Sequence, residues 1–354
     1  MLLTLLIACP KPRSLEPPVP EGAPVVPAIV APLYAASAAE PSDPLVAWAM
    51  HERRYDETLA GAAAGLAFVH DKHGAVDESA VRWALIRAGW PYGFEQVELQ
   101  VVDEDKTPTL LLAELAEVEA TTPVGLARVR TPKGDVWSMV VGQQPIEAAP
   151  FPREAEIGEA LELAVDPAGW TRLSQRALAP SGRVHQGPLV FGEPGEWLLE
   201  LSGTDASGTA SQLIQVPLYV GEPTPEDGLF LSVDTARPSE PEARQQALSD
   251  LDVLRDLLGA GELQLDPVLA AVAGAEADRR AAGGSAQDRP ALSEQVAGSS
   301  AELVCTGVTV QGCLDQLFWA IDPRLVLSDP GWERAGVGAR WTTQGLLLVV
   351  VLAQ

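Results

Sequence analysis

Two glutamates and one arginine are the side chains of this sequence whose surroundings could support chemistry. Glu294 lies in "SEQVAGSS", Glu95 lies in the similar segment "FEQVELQV", and Arg324 follows Asp322 and Pro323. A carboxylate can act as a general base or bind a metal, but a carboxylate beside an arginine more often forms a structural ion pair. The residue types leave both roles open, and we favour the structural ion pair.

Histidine is scarce, with four residues in the chain. His70 and His73 occur in "FVHDKHG", where a helix is predicted to end. They are the candidates for metal ligands, although two histidines three residues apart at a helix end are more typical of the surface. The sequence contains no G-x-S-x-G motif and no P-loop. We therefore expect no cofactor and no bound metal.

The N-terminus indicates the compartment. The apolar run "MLLTLLIAC" resembles the lipobox of bacterial lipoproteins, which implies a signal peptide over residues 1–9 and a lipid on Cys9. The basic residues that usually precede such a run are missing, so an uncleaved, buried N-terminal strand is the alternative. Residues 10–43 are Pro-rich and predict a semi-rigid tether. We expect a membrane-anchored, extracytoplasmic protein of a bacterial cell envelope.

Cys305 and Cys313 are the remaining cysteines. Outside the cytoplasm, a pair this close in sequence favours a disulfide, and two reduced cysteines in the core are the alternative. The formal net charge of −25 would repel the phosphates of nucleic acids and anionic lipid headgroups. We therefore expect no nucleic-acid partner.

The chain divides into blocks of different composition. Residues 44–145 and 238–354 mix helical and strand patterns, and residues 222–237 form a linker. Residues 150–221 contain an alternating strand at Trp197, Leu199 and Leu201 with polar turns around it. That pattern predicts a small antiparallel β-sandwich of immunoglobulin-like type.

The two outer blocks carry similar features in the same order. Asp56 and Asp266 are each placed to cap a helix, Glu-Gln-Val follows, and each block closes with a glycine-containing hairpin, at Val124 and at Val337. The shared order predicts a duplicated domain in which Glu95 lies on Glu294. A chance similarity is the alternative, since alanine-rich helices and glycine-containing hairpins are common.

The C-terminal block resembles the CAP superfamily (SCP-like domains). The resemblance is carried by "LRDLLGAGELQLDPVLAAVA" (Leu254–Ala273), "SEQVAGS" and "IDPRLVLSDPGWERAGVGARW" (Ile321–Trp341), with a fainter copy in residues 44–145. It implies an α-β-α sandwich for each copy. The expected fold is therefore α+β, with two CAP-like sandwiches flanking the small β-sandwich.

Members of this family line a cleft with two histidines and two acidic residues, which bind a divalent metal in some members. The resemblance places Glu294 on one of the acids, whereas Pro323 stands where a histidine is usual, beside Arg324. It thus implies a degenerate cleft, formed by Glu294 and Arg324, with Glu95 in the fainter copy. Without imidazoles, metal binding and proton transfer near neutral pH are hard to support.

These observations lead to a functional expectation. We expect a non-catalytic, lipid-anchored envelope protein, monomeric, which uses its CAP-like surfaces to bind an envelope protein or a polysaccharide. The alternative is a divergent metal-dependent hydrolase that uses carboxylates such as Glu294 and Asp322.

Overall fold

The protein has an α+β fold, which confirms the predicted fold class. The computed structural model describes residues 33–74, 76–103, 106–167, 169–225, 237–284, 292–296 and 298–354. Cys9 and the predicted signal peptide lie outside these residues. Within the described ranges, no helix is long and apolar enough to cross a membrane. Three consecutive parts of the chain, here called the N-terminal, middle and C-terminal units, each build a sheet.

The N-terminal unit places helices on both faces of one antiparallel sheet. Its elements are β1 (Leu33–Tyr34), α1 (Pro44–Ala49), α2 (Glu57–His73), α3 (Glu78–Ala88), β2 (Phe94–Val102), α4 (Thr109–Glu117), β3 (Val124–Thr131) and β4 (Gly134–Gly142). The strand order is β2-β4-β3. Side chains alternate along β3, so Val124 and Leu126 pack with α1 and α4 while Gly125 faces α2. The alternation accounts for the layers of helix, sheet and helix.

The middle unit is built almost entirely of strands. Its elements are β5 (Glu147–Ala148), β6 (Phe151–Pro152), β7 (Glu154–Ala155), β8 (Ala160–Leu161), β9 (Val165–Asp166), β10 (Thr171–Leu178), β11 (Val184–Gln186), β12 (Leu189–Val190), β13 (Gly195–Thr204) and β14 (Ala210–Val220). A five-stranded sheet has the order β11-β10-β13-β14-β7, antiparallel except for the edge pair of β14 with β7. Leu161 and Leu189, on the short β8–β12 ribbon, pack in the same apolar cluster as Trp197 and Leu199 of β13.

The C-terminal unit repeats the layered arrangement of the first. Its elements are α5 (Glu240–Leu257), β15 (Gln264–Leu265), α6 (Pro267–Ala281), α7 (Leu292–Gln295), β16 (Ser300–Gly307), α8 (Val310–Trp319), α9 (Ile321–Ser328), β17 (Arg334–Thr342) and β18 (Gly345–Ala353). The strand order is β15-β17-β18-β16, with β15 parallel to β17. Helix α6 covers one face of the sheet, and α5 and α8 cover the other.

The two outer sheets have the same connectivity. In each, the first long strand (β2 or β16) lies at one edge of the sheet. The last strand (β4 or β18) lies beside it, and the other strand of the hairpin (β3 or β17) comes next. The residue just before the N-cap of the following helix pairs in parallel with this hairpin strand in both units. Tyr55 pairs with Val124 ahead of α2, and Leu265 pairs with Ala335 ahead of α6. The predicted N-caps are confirmed, since the carboxylates of Asp56 and Asp266 accept hydrogen bonds from backbone N–H groups in the first turns of α2 and α6.

The structural register corrects two details of the predicted duplication. The N–H of Asp56 donates to Val124 O, and the N–H of Asp266 donates to Ala335 O, both at 2.9 Å. Val124 is therefore equivalent to Ala335, two residues before the predicted Val337. Glu95 lies within strand β2, whereas Glu294 lies in helix α7 ahead of strand β16. The two Glu-Gln-Val segments are not equivalent, because the same triplet occurs in two kinds of element.

The last part of the predicted tether is packed against the folded body. Leu33 and Tyr34 pair with Pro152 and Phe151. Tyr34 is fully buried, and its hydroxyl donates to Pro217 O at 2.8 Å. The stretch predicted as a tether, residues 10–43, therefore includes residues that belong to the folded body, because Tyr34 is buried against the middle unit.

Candidate functional site

Arg324, predicted to lie in a degenerate cleft, contacts the middle unit. Its Nη2 donates to Glu196 Oε1 at 2.8 Å, and its guanidinium lies 4.4 Å from the ring centroid of Phe318. The side chain is 13% exposed, so water screens the ion pair only in part. The backbone of Glu294 lies in α7, and its side chain is outside the described part of the structure. The carboxylate that pairs with Arg324 here is thus Glu196.

Asp322 makes a second bridge from α9 to the same sheet. Its two carboxylate oxygens accept from Arg176 Nη1 and Nη2, at 2.8 and 2.9 Å. Arg176 Nε also donates to Glu200 Oε1 at 2.7 Å. The hydrogen bonds to Asp322 and Glu200 raise the pKa of Arg176 above its usual range. Bidentate geometry fixes the orientation of both partners, so α9 is held on the face of β10 and β13.

A third set of contacts joins the N-terminal unit directly to the C-terminal unit. Asp315 of α8 accepts from Ser79 Oγ at 3.0 Å and from Arg82 Nε at 2.6 Å, both on α3. Trp319 Nε1 donates to the same carboxylate at 3.0 Å. Asp315 is 7% exposed, so this is a buried and well-satisfied carboxylate. The sequence analysis missed it, because its partners on α3, Ser79 and Arg82, are 236 and 233 residues away in the sequence.

Apolar side chains surround these polar bridges. Trp83 and Ile86 of α3 share one cluster with Leu178 and Leu198 of the middle sheet, and with apolar residues of α5, α8 and α9. At the C-terminal end of α3, the buried Arg153 donates to the carbonyl oxygens of Ile86, at 3.0 Å, and of Arg87. Burial lowers the pKa of Arg153, and the carbonyls at the helix end partly compensate its charge. Helix α3 thus contacts all three units.

The remaining predicted site residues do not join this region. Glu95 is exposed on β2, and His73 is exposed at the end of α2. His70 is partly buried, three residues before His73. In the ranges that the structure describes, no three His, Cys, Asp or Glu side chains form a group able to hold a metal ion.

The predicted disulfide is not formed. Cys305 on β16 and Cys313 on α8 are both buried and free, and Cys313 Sγ donates to Leu346 O at 3.3 Å. Burial, together with the hydrogen bond to Cys313, raises the pKa of Cys305 well above its usual range. The two side chains pack unbonded in the apolar core between the sheet and α8, which is the alternative that the sequence left open.

Comparisons with known proteins give faint similarities. No protein-family model matches the sequence, and no curated protein matches it. An outer surface protein from Borrelia burgdorferi is 15% identical with a TM-score of 0.30, over 33% of this chain and 96% of that one. A cysteine-rich secretory protein from Staphylococcus aureus is 13% identical with a TM-score of 0.28, over 51% and 65%. An extracellular SCP-domain protein from Bacillus anthracis is 13% identical with a TM-score of 0.29, over 72% and 98%.

Proposed function

We propose that this protein is a non-catalytic, lipid-anchored protein of a bacterial cell envelope. Two CAP-like units flank a small β-sandwich, Cys9 carries the lipid, and residues that follow it tether the body. The observation that carries the non-catalytic assignment is the engagement of Asp322 and Arg324 with the middle sheet.

The geometry explains why these two residues are poor components of a reactive cleft. Both carboxylate oxygens of Asp322 accept hydrogen bonds from Arg176, so a metal ion that took both of them would have to displace the guanidinium. Arg324 is likewise occupied by Glu196 and by the ring of Phe318. Both side chains orient the C-terminal unit on the middle unit, which supports a binding module with fixed relative positions of its parts.

The partner that we propose is an envelope protein or a polysaccharide. The formal net charge of −25 disfavours an acidic partner such as nucleic acid or an anionic lipid surface. A cationic or neutral partner is compatible with that charge, and its binding to the acidic surface would weaken as salt is added if charge contributes.

The anchor is tested by replacing one residue. Cys9→Ser should leave the protein in the soluble fraction of cells, whereas the parent protein should be recovered with membranes and extracted by detergent. A Cys9→Ser protein that is still membrane-bound would contradict the lipid anchor. Thermal unfolding of the two proteins serves as the control, and it should give the same midpoint for both.

The non-catalytic assignment is tested through Arg324 and Glu294. Arg324→Ala should destabilise the protein by about 1–3 kcal/mol, between the values for exposed and buried ion pairs. Arg183→Ala, which removes an exposed arginine of the middle unit, is the control and should cost less than about 0.5 kcal/mol. Zinc, magnesium or calcium should not raise the melting temperature. A metal-dependent rise that Glu294→Gln abolishes would support the hydrolase instead.

A further inference from the structure

The carboxylate of Glu78 occupies the junction between α3 and α8. It lies in the first turn of α3, and its Oε1 accepts from Val308 N, just ahead of α8, at 3.3 Å. A methyl group added at Gly312 would overlap the same carboxylate, so the absence of a side chain there makes room for it. Its Oε2 is buried without a hydrogen-bond partner in the structure. A charged oxygen without a partner is costly to bury.

The charges around Glu78 are unbalanced. Asp77, the N-cap of α3, and Asp315 on α8 are the other carboxylates at this junction, and both are 7% exposed. Arg82 is the cation among the groups that act on Glu78, and it is already bound to Asp315. On the side of β16, Glu78 faces Cys305, whose thiol is neutral. Among the groups that act on Glu78, two other carboxylates therefore stand against the one guanidinium of Arg82.

Two opposing effects act on the ionisation of these groups. Burial raises the pKa of Glu78, and the charge of Asp315 raises it further, whereas the N–H of Val308 and the charge of Arg82 lower it. Burial likewise raises the pKa of Asp77, whereas the nearby His73, at the end of α2, lowers it. The N-termini of α3 and α8 also favour negative charge, by an effect that is small where water screens it. Desolvation and repulsion outweigh these terms.

We propose that the α3–α8 junction is a pH-sensitive latch, which tightens as the pH falls and loosens as the pH rises. Protonating Glu78 removes one of the repelling charges and lowers the cost of burying its unpartnered oxygen. A carboxyl group whose folded-state pKa is raised contributes stability that is complete below its ordinary pKa and is lost as the pH rises through the folded value. Because the junction joins the first and last units, its tightness controls how firmly they are held together.

The test is hydrogen exchange on the full chain at pH 5.0 and 7.5, corrected for the intrinsic pH dependence of exchange. Opening constants of peptides from α3 and α8 are divided by those of β13 and β14, which form an internal reference in the middle sheet. We expect the relative opening constant to be more than about threefold larger at pH 7.5, beyond the roughly twofold scatter of surface substitutions. Glu78→Gln should lower the value at pH 7.5 and reduce the dependence on pH to the part that Asp77 contributes.

Two variants separate this latch from other causes. Glu117→Gln makes the same change at an exposed position on α4, and it should keep the pH dependence of the parent. His73→Gln tests whether an imidazole causes the response, because histidines gain charge between pH 5 and 8. This variant should also keep most of the pH dependence. The proposal is overturned if Glu78→Gln retains the parent pH dependence, if opening increases on acidification, or if His73→Gln abolishes the response. If Glu78→Gln does not fold, Glu78→Ala takes its place with the same expected outcomes.

Discussion

Gly336→Ala should destabilise the C-terminal unit severely, because strand β17 and helix α6 touch through their backbones at this point. A Cβ on Gly336 would lie 2.5 Å from Leu269 O and closer still to Leu269 C and Ala270 N. Ordinary contacts between such atoms are about 3.5–4.0 Å, so strand and helix would have to separate by roughly 1.5 Å. Overpacked cores lose about 1–3 kcal/mol, and the upper end applies here because backbone atoms cannot rotate away.

Gly274→Ala is the matched control. Gly274 is an interior residue of α6, and a Cβ added there would meet no heavy atom within 4 Å. Alanine is favoured over glycine inside a helix by about 0.5–1 kcal/mol, so this variant should gain stability while Gly336→Ala loses it. Urea unfolding followed by circular dichroism measures both midpoints. Equal stability of Gly336→Ala and the parent would refute the close backbone contact, and an equal loss in both variants would show that the effect is not specific.

Three further predictions follow from buried side chains. Arg255→Leu should lower the free energy of unfolding by at least about 3 kcal/mol, measured by urea unfolding. Arg255 is fully buried and donates to the carbonyls of Gly261, Leu327, Asp329 and Trp332. Tyr34→Phe should lose about 1 kcal/mol in the same assay, because one buried hydrogen bond to the middle unit is removed. Since burial raises the pKa of Cys305, this thiol should resist alkylation at pH 8 in the folded protein and react after unfolding, as counted by mass spectrometry.

Local signals in the sequence were sufficient for several elements. An aspartate ahead of an alanine-rich run predicts a helix start, and the carboxylates of Asp56 and Asp266 do cap their helices. The hairpins followed from glycine between apolar strands. The choice between Ala335 and Val337 as the equivalent of Val124 could not be made in this way, because glycines alternate at 336 and 338 and both would fit a strand. The hydrogen bond from Asp266 to Ala335 and the pairing of Leu265 with Ala335 determine the register.

The contacts of the candidate site were beyond the reach of local patterns. Asp315 and Arg82 carry no motif, and their pairing depends on how α3 and α8 meet in space. The Glu-Gln-Val triplet led to the wrong prediction that Glu95 and Glu294 are equivalent. A short segment without strong propensity adopts the structure of its surroundings, so the same triplet lies in a strand and in a helix. Arg324 was expected to pair with Glu294, whereas the partner in the described structure is Glu196 on β13, in another unit. Charge complementarity between distant segments cannot be assigned from one sequence.

The two outer units differ on one face of the capped helix. In α2 this face is apolar and buried, with Leu66 fully covered in a cluster that includes residues of α3. The glycine contacts make Leu66 equivalent to Glu276 in α6, where Arg279 and Arg280 bind the carboxylate. A leucine is stable there only if another element excludes water, whereas a glutamate needs cations. The N-terminal unit therefore holds α3 through an apolar face of α2, and the opposite side of α3 is left to join the other two units.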